Sequence, residues 1–269
     1  MVREIREWLD YDLMEGLLPT VGVGELRGLT YLSRLADRCV WEGRECVFKR
    51  IEFDCDVEVV GEEIRARETL IAAMALGMGA DVEGEMLRRF RVVPILAVVI
   101  GDRSPWKPRT VAGVVMPFCG PDLEILARET DANLPITEEQ LRDLVGGVRE
   151  LARCGVEHGD IKYWNTVLEP REGRCKARLV LIDVGSVAPE YDGDAGALGT
   201  LLLWCLGHST QLRETRGAKA RVIAAAAALR AGNDFDAAMK VLALDRRPSH
   251  GSQPKKNTAA ADNNVVQPT

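Results

Sequence analysis

The sequence lacks the long apolar runs that membrane-bound and secreted chains need. No run approaches the length of a membrane span. The opening residues 1–10 carry charges throughout and contain no signal-peptide stretch. An excess of basic residues is also missing, since the net charge is −6, which argues against a nucleic acid or an anionic membrane as the main partner. We therefore expect an intracellular protein, cytoplasmic or nuclear, that binds neither.

Metal-type cysteine spacing is the next absence. The chain has seven cysteines, an odd number, and no two of them form a CxxC pair. Most lie inside apolar runs, where a free thiol behaves as a small hydrophobic side chain. We expect reduced cysteines, as is usual in the cytosol and the nucleus.

What is present is enough apolar sequence for a substantial core. Of 269 residues, 46% are hydrophobic and 28% are charged, which is typical of a globular protein with one large domain or two lobes around a cleft. Short alternating runs up to residue 116 predict about five strands, the fourth at residues 91–100. One helix, residues 57–76, is predicted after the third strand, and Gly43 marks a hairpin turn before that strand.

After residues 117–121 the pattern becomes helical, and Thr137 with Gln140 forms a capping box that opens a helix. We predict an α+β fold with two lobes, a small β-rich lobe with one main helix and a truncated, mostly helical lobe. The predicted segments are an N-terminal extension (1–28), the β-rich lobe (29–116), the helical lobe (117–245) and a disordered tail (246–269).

One motif carries most of the chemical information, His158-Gly-Asp160-Ile-Lys162-Tyr-Trp-Asn165. The chain has only three histidines, so a chance match is improbable. Phosphoryl transfer to a hydroxyl needs a carboxylate that accepts the hydroxyl proton, a cation near the phosphate and an oxygen ligand for Mg²⁺. Asp160, Lys162 and Asn165 supply these groups from one loop.

Two further segments complete the set. Residues 179–182 form an apolar run that ends in Asp183-Val184-Gly185, so a carboxylate suited to Mg²⁺ lies at the tip of a buried strand. Upstream, Lys49 is the one strongly basic position in an alternating strand, and Glu63 on the following helix is its best partner, although Glu62 and Glu68 compete.

With these motifs the chain resembles the eukaryotic protein-kinase family, and in particular compact fungal kinase-like proteins with an FKRIEFD strand and an HGDIK loop. The resemblance covers roughly residues 29–210 and implies ATP and Mg²⁺ as cofactors. It implies that Lys49 pairs the α- and β-phosphates and that Glu63 holds Lys49. It also implies that Asp160 is the catalytic base and that Lys162 steadies the γ-phosphate.

The resemblance also assigns the remaining site. Asn165 and Asp183 are the implied Mg²⁺ ligands, and Met116 takes the gatekeeper position. The segment Pro117-Phe118-Cys119 is the implied hinge, which would bind adenine through backbone hydrogen bonds. Asp194 matches the acid that opens the large core helix of the helical lobe.

The chain departs from the family in three places. The glycine-rich phosphate loop is expected near residues 32–36, which hold no glycine, and Gly22-x-Gly24-x-x-x-Gly28 lies too early. Gly159 replaces the arginine that usually reads an activation-loop phosphate. The segment from Asp183 to Asp194 is short, and Val184 replaces the usual phenylalanine. These departures predict a centre that is not switched by loop phosphorylation.

Three functions therefore remain open on the sequence. The first is a serine/threonine protein kinase with an unidentified protein substrate. The second is a pseudokinase or nucleotide-binding scaffold, because the phosphate loop and the activation segment are degenerate. The third is a small-molecule kinase similar to the aminoglycoside and choline kinases, which share a His-Gly-Asp loop.

Overall fold

The computed structural model describes residues 17–74, 81–101, 111–170, 177–185, 187–188 and 190–243. Most of the predicted N-terminal extension and the predicted tail lie outside these residues. The first half forms a six-stranded sheet in the order β1-β5-β6-β4-β3-β2. Its strands are β1 (Thr20–Gly22), β2 (Arg27–Ser33), β3 (Ala36–Trp41), β4 (Arg44–Arg50), β5 (Ala97–Ile100) and β6 (Val111–Pro117).

The sheet is mixed, because β1 pairs with β5 in parallel while the other neighbouring strands are antiparallel. The predicted hairpin turn joins β3 to β4. Glu42 and Gly43 both have positive φ, 51° and 75°, which is the geometry of the tight two-residue turns that suit a twisted hairpin. The turn fixes the register and places Lys49 opposite Ala36.

The main helix of this half, α1 (Asp54–Ala73), begins three residues before the predicted start. The Asp56 carboxylate accepts the backbone N–H of Phe53, at 2.8 Å, which satisfies a donor at the start of the helix. Val60 and Ile64 pack into one apolar cluster with sheet residues that include Val114. This packing brings one face of α1 against the sheet.

The structure differs from the prediction between residues 81 and 100. A helical turn, α2 (Val82–Glu85), leads into a π-helical turn, Met86–Phe90. The predicted strand 91–100 is reduced to β5. Arg91 adopts a left-handed conformation with φ 56°, and Val92 pairs with Leu181 of another sheet. The chain therefore changes sheets within the run that the sequence presents as one strand.

The second half is mostly helical and has its own core. Its elements are α3 (Leu123–Glu129), α4 (Glu138–Arg153), the hairpin β7 (Thr166–Glu169) and β8 (Arg178–Leu181), α5 (Asp194–Gly207), α6 (Thr210–Glu214), α7 (Ala218–Gly232) and α8 (Phe235–Leu242). The capping box of Thr137 and Gln140 opens α4 as predicted. Leucines of α4 and α5 form one buried cluster with Val222 of α7.

The fold is thus α+β, with apolar clusters in a β-rich half and in a helical half, which is compatible with two lobes. The sheet begins at Thr20, before the expected boundary at residue 29. Three helices lie between Thr210 and Leu242. Within the described residues, no helix combines the length and the apolar character that crossing a membrane requires.

Candidate active site

Lys49 lies at the centre of the candidate site. Strand β4 directs its side chain to the face of the sheet that packs on α1, and Lys49 is only 6% exposed. Its ammonium group forms an ion pair with Glu63 of α1, which is fully buried. A second carboxylate, Asp183 Oδ1, lies 2.7 Å from Lys49 Nζ. The structure thus brings Lys49 together with its predicted partner Glu63 and with Asp183, a predicted Mg²⁺ ligand.

The competing acids on α1 are engaged elsewhere. Glu62 forms an ion pair with Arg65, one turn along the helix surface. Glu68 Oε1 accepts the backbone N–H of Leu17 at 2.9 Å. Glu63 is therefore the glutamate of this helix that pairs with Lys49.

Two nearby carboxylates raise the pKa of Lys49 by more than burial lowers it. Burial lowers the pKa of its ammonium group, but the charges of Glu63 and Asp183 oppose burial, and the pKa ends above its usual value. Burial likewise favours a protonated Asp183, yet Lys49 holds the pKa of this carboxyl below its usual range. Both groups therefore stay charged at neutral pH.

Asp183 sits on a strained turn after β8. It is a non-glycine residue with φ 58°, a left-handed conformation that the surroundings must stabilise. Gly185 has φ 103°, and a β-carbon there would lie 2.9 Å from the Glu62 carbonyl of α1. The turn therefore needs glycine at 185. Val184, between these two residues in the sequence, is fully buried.

The loop that contains the His158 motif is held by a buried carboxylate. Asp194, the first residue of α5, accepts the backbone N–H of His158 at 2.8 Å and that of Gly159 at 3.1 Å. The Tyr191 hydroxyl donates to the same carboxylate at 2.6 Å. Sequence reasoning found Asp194 but missed Tyr191, whose signal is its position three residues before that acid.

Within this loop, Asp160 is oriented by its neighbours. Asn165 Nδ2 donates to Asp160 Oδ2 at 2.8 Å and to the Asp160 carbonyl at 2.9 Å. Lys162 forms an ion pair with Asp160, whose side chain is 24% exposed, and lies 4.5 Å from the ring centre of Trp164. The carboxylate is thus fixed in direction and partly exposed.

Backbone hydrogen bonds join the loop that contains Asp160 to the turn that contains Asp183. Ile182 donates its N–H to the Asn165 carbonyl at 3.0 Å, so the residue before Asp183 is tied to the end of the loop. Gly185 donates to the His158 carbonyl at 2.9 Å, and Ala188 to the Gly159 carbonyl at 2.9 Å. The short segment after Asp183 is therefore bonded directly to the loop. Residues 186 and 189 of this segment lie outside the described residues.

The predicted gatekeeper and hinge lie at the end of β6. Met116 is opposite Val47 of β4 and is buried with residues of the sheet face that carries Lys49. The Phe118 N–H is bonded to the Glu45 carbonyl at 3.2 Å. Cys119 is buried, which raises the pKa of its thiol to about 12 and keeps it unreactive.

The Pro117 carbonyl is the hinge group that faces away from β4. On that side Leu96 donates to the Val115 carbonyl at 2.7 Å. The β5–β6 pairing begins with Ala97 opposite Val115, so Pro117 lies beyond the last pair of this ladder.

The expected phosphate loop corresponds to a tight turn. Ser33 pairs with Ala36, so Arg34 and Leu35 alone connect β2 to β3. Gly22 and Gly24 lie in β1 and in the 3-10 turn after it, away from this hairpin turn. The described residues around Lys49 therefore include no glycine-rich turn.

The oxygen donors of the site fit a hard cation. The Asn165 amide nitrogen makes both bonds to Asp160, which leaves the amide oxygen for a cation, and Asp183 is 37% exposed. In the described part of the chain, no three His, Cys, Asp or Glu residues cluster in a way that could hold a metal. A cation here would need water or phosphate oxygens as further ligands, as Mg²⁺ commonly has.

Comparison with known proteins assigns no family to this site, because no family model and no curated protein matches the chain.

Proposed function

We propose that the chain is an ATP- and Mg²⁺-dependent phosphotransferase of the protein-kinase type, acting on serine or threonine hydroxyls of a protein substrate. One observation carries the proposal. Lys49 is held between Glu63 and Asp183, residues 14 and 134 positions away, next to a loop that fixes an accessible Asp160. A buried cation poised between two carboxylates beside an oriented carboxylate suits phosphate binding and proton acceptance.

Each residue has a role in this scheme. Lys49 binds phosphate oxygens and is kept in place by Glu63. Asp160 accepts the proton of the substrate hydroxyl and directs its oxygen, while Lys162, now paired with Asp160, moves to the developing negative charge. Asn165 and Asp183 hold Mg²⁺, which neutralises charge on the phosphates when it is bound.

The nucleotide base would lie under Met116 and against the hinge. The Pro117 carbonyl accepts a hydrogen bond from the amino group of adenine, and the backbone of Cys119 supplies the next polar groups. Because backbone groups make these contacts, base selection does not depend on the side chains of Phe118 and Cys119.

The first test is phosphorylation with labelled ATP and a general protein substrate. We expect Asp160→Asn to reduce turnover by at least 100-fold while ATP binding persists, because a general base contributes about 10²–10⁴-fold. Asp192→Asn, a matched change of an exposed aspartate nearby, should leave turnover unchanged. Turnover that survives Asp160→Asn would contradict the proposal.

The second test is binding. ATP with Mg²⁺ at 100 times its dissociation constant should stabilise the chain by about 2.7 kcal/mol in a thermal-shift assay. Lys49→Met should remove this shift, and Lys240→Met, at an exposed site on α8, should retain it. Binding without turnover would identify a nucleotide-binding scaffold instead.

A small-molecule acceptor is the second candidate, because the segment after Asp183 is bonded to the catalytic loop through Gly185 and Ala188. A segment held in this way offers little backbone for docking a peptide. Labelled ATP with a panel of amino alcohols and aminoglycosides, compared with peptides, separates the two acceptors.

A further inference from the structure

Arg67 is the largest charged side chain that the fold buries completely, and the mechanism above does not use it. It is 0% exposed. It lies four residues after Glu63 on α1, so both side chains project from the same face of the helix. The described part of α1 therefore carries two buried ionised groups one turn apart, where an apolar residue would be expected at 67.

Its hydrogen bonds go to two separate segments. Arg67 Nε and Nη2 donate to the Val93 carbonyl at 3.2 and 3.1 Å, and Nη1 donates to the Val184 carbonyl at 3.2 Å. Val93 precedes β5, whereas Val184 directly follows Asp183. The planar guanidinium, with several donors in a fixed fork, can hold both carbonyls at once.

Burying this cation is expensive unless nearby charge compensates for it. Burial lowers the pKa of Arg67, and the charges of Glu63 and Asp183 oppose that effect. With Lys49, the site contains two buried cations, one buried carboxylate (Glu63) and one partly exposed carboxylate (Asp183). Arg67 is therefore part of the charge balance of the site as well as a contact to its backbone.

We propose that Arg67 is a positioning residue that locks the turn Asp183–Gly185 onto α1 and so directs Asp183 towards Lys49. The proposal rests on the phosphotransferase function and names how its centre is kept in the active arrangement. The left-handed backbone of Asp183 needs such support, and the bond to the next residue, Val184, supplies it. The Arg67 hydrogen bonds involve no phosphate group, so they hold the turn without phosphorylation of a loop.

Arg67→Met tests the lock because methionine nearly matches the length and removes the charge and the donors. Removing one charge from a buried ionic group is destabilising, so hydrogen exchange at the turn is compared with that of α4 in the same folded protein. We expect backbone amides of residues 182–185 to exchange hydrogen at least tenfold faster, while those of α4 keep their protection. Arg65→Met, an exposed change on the same helix, should leave exchange unaltered.

Catalysis gives the second readout. In Arg67→Met we expect kcat to fall about tenfold and the KM for the acceptor to stay within twofold, because Asp183 acts on phosphate and not on the acceptor. Arg67→Lys should restore part of kcat, since one ammonium group can bond one carbonyl. If Arg67→Met does not fold, the exchange comparison is made with Arg67→Lys, which should show a smaller increase.

The outcomes separate the two proposals. Unchanged exchange at residues 182–185 in folded Arg67→Met and Arg67→Lys overturns the lock, whatever the activity. Faster exchange in a protein that has no Asp160-dependent turnover supports the lock and overturns the phosphotransferase function.

Discussion

The two parts of the candidate site are held in place by different forces. The ion-pair part, Lys49 with Glu63 and Asp183, depends on charged side chains contributed by distant segments of the chain. The loop part, residues 158–165, depends on backbone N–H groups that donate to Asp194 inside the helical core.

This difference indicates that the loop part is rigid, whereas the ion-pair part depends on the relative positions of the elements around it. The loop part is anchored to α5, whose Leu198 and Leu202 are fully buried, so it can keep its shape independently. The ion-pair part exists only where the sheet, α1 and the strand end at Asp183 come together. A change in the relative position of these elements would separate the charges first.

The largest expected effect is the loss of the loop anchor. Asp194→Ala removes the acceptor for two buried backbone N–H groups and for the Tyr191 hydroxyl. At about 1–3 kcal/mol for each buried unsatisfied group, we expect the free energy of unfolding in urea to fall by roughly 4 kcal/mol. Exchange protection should be lost at residues 158–165 and retained in α1. A loss below about 1 kcal/mol would contradict this account of the loop.

The next effect depends on pH and again concerns the loop. The Asp160 N–H donates to His158 Nδ1 at 3.2 Å, so the folded protein holds a neutral imidazole. Burial lowers the pKa of His158 from 6.5 to about 4. Between these values the unfolded chain binds a proton that the folded chain does not, so acidification favours unfolding. We expect a loss of about 3 kcal/mol from pH 7 to pH 4.

The measurement is urea unfolding at several pH values in the wild type and in His158→Asn. Asparagine offers an acceptor for the Asp160 N–H and does not titrate, so the difference between the two proteins isolates the histidine. Equal pH slopes in both proteins would exclude His158 as the source.

The local parts of this fold follow from the sequence. The capping box of Thr137 and the turn at Glu42 and Gly43 are correct because short-range backbone chemistry decides them. The strand predicted at residues 91–100 is wrong in length for a non-local reason. Val92 pairs with Leu181, about 90 residues later, and Pro94 cannot donate to a strand ladder.

The buried Arg67 is visible in the sequence as a charged residue that interrupts the apolar face of α1. Val60, Ile64, Ile71 and Met74 predict the apolar face of α1, and Arg67 lies in the gap between Ile64 and Ile71, three residues after the first and four before the second. An arginine on a predicted apolar face indicates either that the helix is wrongly predicted there or that the buried guanidinium group has a specific role. Which carbonyls it bonds could not be predicted, because Val93 and Val184 come from outside the helix.

The ion-pair part should respond less strongly than the loop. Lys49→Met leaves Glu63 buried without its cation, which typically costs about 3–5 kcal/mol. Burial already raises the pKa of the Glu63 carboxyl, so it can take up a proton, and Asp183 is 37% exposed and can reach water. We therefore expect the free energy of unfolding in urea to fall by roughly 2 kcal/mol. Hydrogen exchange at residues 158–165 should be unchanged.

A double variant sharpens this result. Lys49→Met with Glu63→Leu removes both charges, so its loss should be smaller than that of Lys49→Met alone. If the stability losses of Lys49→Met and Glu63→Leu simply add in the double variant, the Lys49–Glu63 pair does not stabilise the ion-pair part of the site.

The smallest expected effect is that of Tyr191→Phe, which removes one hydroxyl and keeps the ring. The hydroxyl donates to Asp194 at 2.6 Å, and the Ile161 N–H approaches the same oxygen at 3.4 Å. Asp194 retains its two backbone donors, so we expect a loss of about 1 kcal/mol in urea unfolding. Because the loop stays anchored, turnover should remain within about threefold of the wild type. A loss as large as that of Asp194→Ala would mean that the tyrosine, and not the backbone of the loop, is the main partner of this carboxylate.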